Sequence, residues 1–200
     1  VGMGKGHARG FQSHSRADLV ALCDADPERL AQVADELGVE ERYTDAEAMF
    51  EKAGLDAVGI AVPNKFHAPM TILAANHGKH VVVEKPMATN LRDADAMVEA
   101  ANRNGINLVA GHTQSFHPRF RLTRQIVRSG ELGELGAINI VSYTDWVIRP
   151  RTPDELDPEQ GGGLVYRQTP HQIDTIRLIG GGRLRSVRGS YGQWMKERPI

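Results

Sequence analysis

Up to about Gly111, apolar residues fall in short unbroken runs separated by stretches with helical spacing. The runs are Leu19-Val20-Ala21-Leu22-Cys23, Ala57-Val58-Gly59-Ile60-Ala61-Val62, His80-Val81-Val82-Val83 and Ile106-Asn107-Leu108-Val109-Ala110. Continuous rather than alternating runs belong to strands buried on both faces, the condition of a parallel sheet covered by helices. Arg42-Tyr43 is a weaker candidate for a further short strand. Helix ends between the runs are marked by local chemistry. Asp26-Pro27-Glu28 places an acidic cap before proline at the first helical position, and Leu37-Gly38 supplies a glycine stop. Thr44 or Asp45 can cap a second helix ending near Ala53-Gly54. A third spans His67 to Asn76 before Gly78, and Asn90 can cap a fourth that ends at Asn104-Gly105. Strand–helix alternation of this kind predicts right-handed crossovers in an α/β sheet.

The pattern changes after Gly111. A helix is expected from Pro118 to Ser129, then a long strand from Ala137 to Val147 that begins to alternate. Arg149-Pro150-Arg151-Thr152-Pro153 forms a rigid basic connection leading to Gly161-Gly162-Gly163. A helical pattern through Ile173, Ile176 and Ile179 precedes a second strand near Leu184 to Met195. The expectation is a doubly wound parallel sheet over 1–115, followed by a partial α+β domain over 116–200. Val1 runs directly into glycines and Ile200 follows a strand-like run. The chain is therefore expected to be a fragment with a truncated first strand and an incomplete second domain, poorly stable and inactive by itself.

Composition narrows the function classes. The chain has 200 residues, 40% hydrophobic and 24% charged, with mean hydropathy -0.37 and net charge -1. The charges are interspersed, so nothing suggests nucleic acid or an anionic membrane as partner. The apolar runs are far short of the ~20 residues of a spanning helix, and no signal-peptide pattern opens the chain. The single cysteine, Cys23, cannot form an internal disulfide, which fits a reducing cytoplasm. Its apolar neighbours identify it as a packed small hydrophobe rather than a nucleophile.

Candidate chemistry gathers at the run ends. Gly2-x-Gly4-x-Gly6 resembles the loop that lets a backbone approach a pyrophosphate at a helix N-terminus. Its spacing is irregular, with His7 at the third-glycine position, and a glycine-rich terminus by itself is more often just a flexible turn. The acid expected about 20 residues later, to bond ribose hydroxyls, is present as Asp24. A carboxylate there favours NAD over NADP, though NADP is admitted; Asp24 is alternatively a helix cap, as Asp26 is. Pro63-Asn64 with His67, and Glu84-Lys85-Pro86, stand where parallel strands end and open α/β sheets bind ligands. Lys85 is either a solvated strand end or a charge held in the cleft.

Together the glycine loop, CDAD, AVPNKFHAPM, HVVVEKPMA, GHTQSFHPRF and GGGLVYRQTPHQID resemble the Gfo/Idh/MocA oxidoreductases across essentially the whole chain. Glu84-Lys85-Pro86 paired with His171-x-x-Asp174 is the most specific element. The resemblance implies a Rossmann domain holding NAD through Gly2, Gly4, Gly6, Asp24, Pro63, Asn64, His67, Glu84 and Lys85. It implies that Lys85 orients the substrate and stabilises negative charge on its oxygen. His171 would be the general base and Asp174 would line the site. His112 is either a substrate contact or a cap or core histidine. No metal is implied, and full-length members commonly pair through the second domain.

One departure matters. Against the family pattern Gly-Gly-Gly-x-x-x-Asp-x-Gly-x-His, the chain has Arg167 for the aspartate and Thr169 for the glycine. The His–Asp relay of sugar dehydrogenases is therefore in doubt, and a guanidinium suited to carboxylates takes its place. The resemblance is greatest to the phthalate dihydrodiol (4,5-dihydroxyphthalate) dehydrogenase branch. It implies hydride transfer between a nicotinamide and a hydroxyl-bearing substrate, such as a carboxylated cis-dihydrodiol. Arg149, Arg151 and Arg167 are candidate anchors, the first two also readable as solvated loop charges. The alternatives are a cyclic polyol or sugar dehydrogenase, a non-catalytic NAD-binding protein, or an enzyme using transient oxidation in glycoside cleavage.

Overall fold

The computed structural model describes residues 3–146, 148–190 and 192, and divides the chain into two compact units, Val1–Gly111 and His112–Ile200. In the first unit the expected runs become parallel strands: β1 (Ala21–Cys23), β2 (Glu41–Tyr43), β3 (Ala57–Ile60), β4 (His80–Val83) and β5 (Leu108–Ala110). The weak Arg42-Tyr43 run lies within β2. All pairs are parallel, with Ala21 opposite Glu41, Val58 opposite Val81 and Val82 opposite Val109. They form two sheets, β1-β2 and β3-β4-β5, rather than one, because no described strand bridges β1 and β3.

Helices α2 (Pro27–Leu37), α3 (Ala46–Lys52), α4 (His67–Asn76) and α5 (Leu91–Asn104) connect successive strands, and α1 (Met3–Ser13) precedes β1. Their ends follow the local chemistry read from the sequence. Asp26 accepts from the Glu28 and Arg29 N–H groups, and Gly38 ends α2 in the left-handed region at φ 67°. Asp45 rather than Thr44 caps α3, and Asn90 caps α5 by accepting from Asp93 N–H. Between β3, β4 and these helices lies the core, where Val81, Val83, Met97 and Ala74 are at most 1% exposed. Burial of each such aliphatic side chain stabilises the fold by roughly 1.5–3 kcal/mol.

The glycine run differs from expectation. Gly4 and Gly6 lie inside α1 rather than in a loop, and Gly2 lies outside the described residues. Where glycine does matter is β3. A Cβ on Gly59 would stand 3.2 Å from the Phe11 ring, so its absence lets α1 lie directly on the strand.

The second unit contains α6 (Pro118–Ser129), the one-turn α7 (Pro153–Leu156) and α8 (Gly163–Gly180), with 3-10 turns at Thr113–Phe116 and Pro158–Gln160. The Thr113–Phe116 turn and α6 pack on α8. Gly162 precedes α8 where a Cβ would come within 2.7 Å of backbone atoms of Asp157 and Glu155. Among the described residues, neither 137–146 nor 184–190 forms a strand; the remainder of both expected strands, Val147 and most of 191–195, lies outside them. Alternation confers β propensity, but a ladder needs a hydrogen-bonded partner. Here Val141 is 75% exposed and Val187 75% exposed, with no strand beside them.

Candidate functional site

In the first unit the chemistry sits just beyond the strands. Because β3, β4 and β5 are parallel, their carboxyl ends open on one edge, where an α/β sheet presents its ligand crevice. Chain leaving β3 passes Val62-Pro63-Asn64 into a 3-10 turn over Asn64–Phe66, and chain leaving β4 continues as Glu84-Lys85-Pro86 with a cis Lys85–Pro86 peptide. His67, at the start of α4, joins these two segments. It is 1% exposed, with Nδ1 2.7 Å from the Pro86 carbonyl and Nε2 2.9 Å from the Val62 carbonyl. Both ring nitrogens of His67 thus face backbone carbonyls of the two segments.

Glu84 is 6% exposed, and a buried carboxylate must be paired to remain charged. One oxygen lies 2.7 Å from His7 Nε2, reaching down from α1, and the other accepts from the Lys85 N–H at 3.1 Å. Hydrogen bonding to Glu84 raises the His7 imidazole above its usual value; burial opposes this and the carboxylate charge reinforces it. Burial pushes the Glu84 carboxyl up, but the hydrogen bonds from His7 and Lys85, with their positive charges, outweigh it and hold Glu84 below the usual range. In the sequence His7 was notable only as a departure from the glycine spacing. Nothing local in the chain marks a partner 77 positions away.

Beyond β1, Asp24 accepts from Asp26 N–H at 3.0 Å, and its other oxygen stands 3.7 Å from Arg29. Asp26, not Asp24, caps α2. Cys23 beside it is exposed rather than packed. Desolvation of the thiol, then the charges of Asp45 and Asp24, push it up to about 11, so it remains a poor nucleophile.

In the second unit the stripe is on α8. His171 and Asp174 are three residues apart and share a helix face. Asp174 accepts from Ser115 Oγ and stands 3.4 Å from His112 Nδ1, so His112 meets the acid rather than capping a helix with its side chain. One residue on, buried Thr175 donates to the His171 carbonyl at 2.8 Å and lies 3.1 Å from Gln114 Oε1. These contacts tie the Thr113–Phe116 turn to the helix that carries His171. Ser115 and Gln114 carry no sequence signal of this role. Arg167 pairs with Glu155 at 3.1 Å, Arg151 lies 3.7 Å from the same oxygen, and exposed Arg149 pairs with Asp145. Glu155 had a signal: Thr152-Pro153-Asp154-Glu155 reads as a capping box.

The first-unit residues suit a dinucleotide. Gly4 lies in the first turn of α1, and an acid and a lysine stand at the ends of two strands. An open groove of about 610 Å³ lies elsewhere, along Gly10, Phe11, His14 and Arg16, and shares only Gly6 with the expected cofactor residues.

Such a fold and site define a dinucleotide-binding α/β oxidoreductase domain joined to a second, helical unit. The chain belongs to the Gfo/Idh/MocA family: residues 1–112 match the oxidoreductase family's NAD-binding Rossmann fold, and 120–199 match the GFO/IDH/MocA C-terminal domain. A 1-carboxy-3-chloro-3,4-dihydroxycyclohexa-1,5-diene dehydrogenase of Comamonas testosteroni is 38% identical over 92% of this chain and 46% of its own length. Myo-inositol 2-dehydrogenase of Thermotoga maritima is 30% identical over 90% of this chain and 53% of its own. Scyllo-inositol dehydrogenase from Lactobacillus casei, solved with NAD(H) and scyllo-inositol, superposes with TM-score 0.73 at 26% identity, covering 90% of this chain and 54% of that one. A solved structure from Bordetella bronchiseptica RB50 gives TM-score 0.91 at 38% identity, over 96% and 50%. The chain thus spans about half the length of the relatives it matches. No described helix is long and apolar enough to cross a membrane.

Proposed function

We propose that the full-length protein is an NAD-dependent dehydrogenase acting on a hydroxyl of a cyclic substrate, with a carboxylated cis-dihydrodiol as the leading candidate. One observation carries the reading. A domain matched by the NAD-binding family over 1–112 ends its parallel strands in Asn64 and Glu84-Lys85, with Lys85 fixed next to a buried, paired glutamate. The substrate candidate rests on the carboxylated cyclic diol in the name of the Comamonas relative and on Arg167 at the family's usual aspartate position.

In this reading Gly4, Gly6 and Asp24 hold the dinucleotide, with Pro63 and Asn64 beside it; Gly2 would join them. NAD, when bound, supplies the two-electron oxidant that receives the substrate's C–H hydrogen with its electron pair. His171 accepts the hydroxyl proton, so the alcohol leaves as a carbonyl and the charges balance. Lys85 stabilises negative charge developing on that oxygen. Asp174, held by Ser115 and His112, fixes the face of α8 that carries the base. The lone cysteine fits a cytoplasmic setting, and assembly into a homo-oligomer through the second domain completes the proposal.

The test is NADH formation by the full-length enzyme with cyclic diols and polyols, alongside NAD binding by calorimetry. Lys85→Ala and His171→Ala are expected to lower kcat by about 100-fold or more while NAD still binds. Tight NAD binding with no turnover in wild type or either variant would support a non-catalytic NAD-binding protein instead.

A further inference from the structure

We propose that His7 is a positioning residue for Lys85, acting through the buried carboxylate of Glu84. The proposal rests on the dehydrogenase reading above and adds to it a residue that works through another side chain. The first observation is that Glu84 serves two partners with two different oxygens. Oε1 meets His7 Nε2 at 2.7 Å, and Oε2 accepts the Lys85 N–H at 3.1 Å. The carboxylate is thus a planar link between α1 and the backbone of the lysine. A side chain that accepts from the very next N–H closes a small ring, so the place of the carboxylate decides where that N–H points. The chain just beyond the lysine is held as well, with the Pro86 carbonyl 2.7 Å from His67 Nδ1. Lys85 therefore lies between two backbone anchors, one reaching it from α4 and one from α1 through Glu84.

The second observation is how room is made for this link. Gly4, His7 and Phe11 stand at i, i+3 and i+7 of α1, on one face. That face lies on β3 and the residue after it. A Cβ on Gly59 would stand 3.2 Å from the Phe11 ring and 3.9 Å from His7 Cβ, and one on Gly4 would stand 3.6 Å from Ala61 Cβ. Just past β5, Gly111 closes on the same carboxylate. A Cβ there would come within 3.1 Å of the Val83 carbonyl oxygen and 3.6 Å of Glu84 Cδ. In a dinucleotide loop the third glycine serves close helix–strand packing. Here Gly59 supplies that closeness from the strand, which frees position 7 of α1 for a side chain.

The third observation is charge. Glu84 is 6% exposed, and a buried carboxylate needs strong donors. A bond from a cationic imidazole is of the stronger, charge-assisted kind. Hydrogen bonding to Glu84 raises His7 above its ordinary value, against the lowering effect of burial, which favours that form. The link matters to catalysis because reacting groups tolerate little displacement: about 1 Å costs on the order of 100-fold in rate.

The experiment uses the full-length enzyme, well below the melting temperature of every variant. It reads the exchange rate of the Lys85 backbone amide by NMR without cofactor, then kcat and KM with cyclic diols, with NAD binding by calorimetry alongside. His7→Ala should speed Lys85 exchange by about 10-fold or more. It should lower kcat by about 10- to 100-fold with KM little changed. His7→Gln, whose amide reaches as far as Nε2 and donates to Glu84, should recover most of both. His7→Asn, one methylene shorter, should behave as alanine does, a separation that a merely structural role would not produce. Should the alanine variant fail to fold, the glutamine and asparagine variants carry the comparison. Lys85 exchange unchanged by His7→Ala, or equal in the glutamine and asparagine variants, overturns the proposal, as does faster exchange with undiminished kcat. His7-dependent Lys85 exchange in a wild type that oxidises no diol upholds the clamp on Lys85 and overturns the dehydrogenase reading. Absence of both overturns both.

Discussion

Replacing His7 with alanine removes one of two hydrogen-bond donors from Glu84, a carboxylate only 6% exposed, and leaves it with the Lys85 N–H. A hydrogen bond to a charged group contributes about 1.5–3 kcal/mol, and with the His7 side chain 24% exposed solvent screens part of it. The expected loss in the full-length protein is about 2 kcal/mol, or a Tm lower by about 4–8 °C. The pH dependence separates this account from simple loss of packing. His7 is raised, so its contribution is complete below its ordinary value of 6.5 and fades as pH rises through the higher folded value. Glu84 is lowered, so its contribution is complete above its ordinary 4.5 and fades as pH falls through the lower folded value. The gap between wild type and His7→Ala, measured by urea unfolding from about pH 4 to about pH 9, should therefore be widest between those two ordinary values. It should narrow on both sides. A gap that stays constant across the range refutes the ion pair as the source of the effect.

Further outcomes follow from the same contacts. His67→Leu removes the buried imidazole that faces the Val62 and Pro86 carbonyls and should cost about 1–3 kcal/mol, with weaker NAD binding by calorimetry; His67→Gln should recover part of both. Cys23, with its thiol at about 11, should react with iodoacetamide at neutral pH about 10- to 100-fold more slowly than a free thiol, despite its exposure; mass spectrometry of timed samples reads the rate.

Element type in the first unit was legible because each signal is local. Unbroken valine and isoleucine runs specify strands buried on both faces, and Asp26, Asp45, Asn90, Gly38 and Gly105 act on backbone groups within a few residues. Asp24 and Lys85 stood out by their places at strand ends, whereas His171 and Asp174 were marked only by the family resemblance, and the roles of all four belong to the proposal. The second unit was read less well. Alternation from Ala137 to Val147 was taken for a strand, yet a strand exists only when another backbone lies beside it, and among the described residues of that run, 137–146, none has one. The glycine run was read as a loop, although α1 takes Gly4 and Gly6 into its first turns, packed on β3 at Gly59.

What the sequence determined alone is the order of strands and helices, where most of them begin and end, and which residue types close the strands. Tertiary structure decided the pairings. His7 with Glu84, His67 with Pro86, Asp174 with His112 and Ser115, and Arg167 with Glu155 each join residues separated by a dozen positions or more. The physical reason is burial. A charged or polar group withdrawn from water must find its partner in space, and chain spacing carries no record of which one that is.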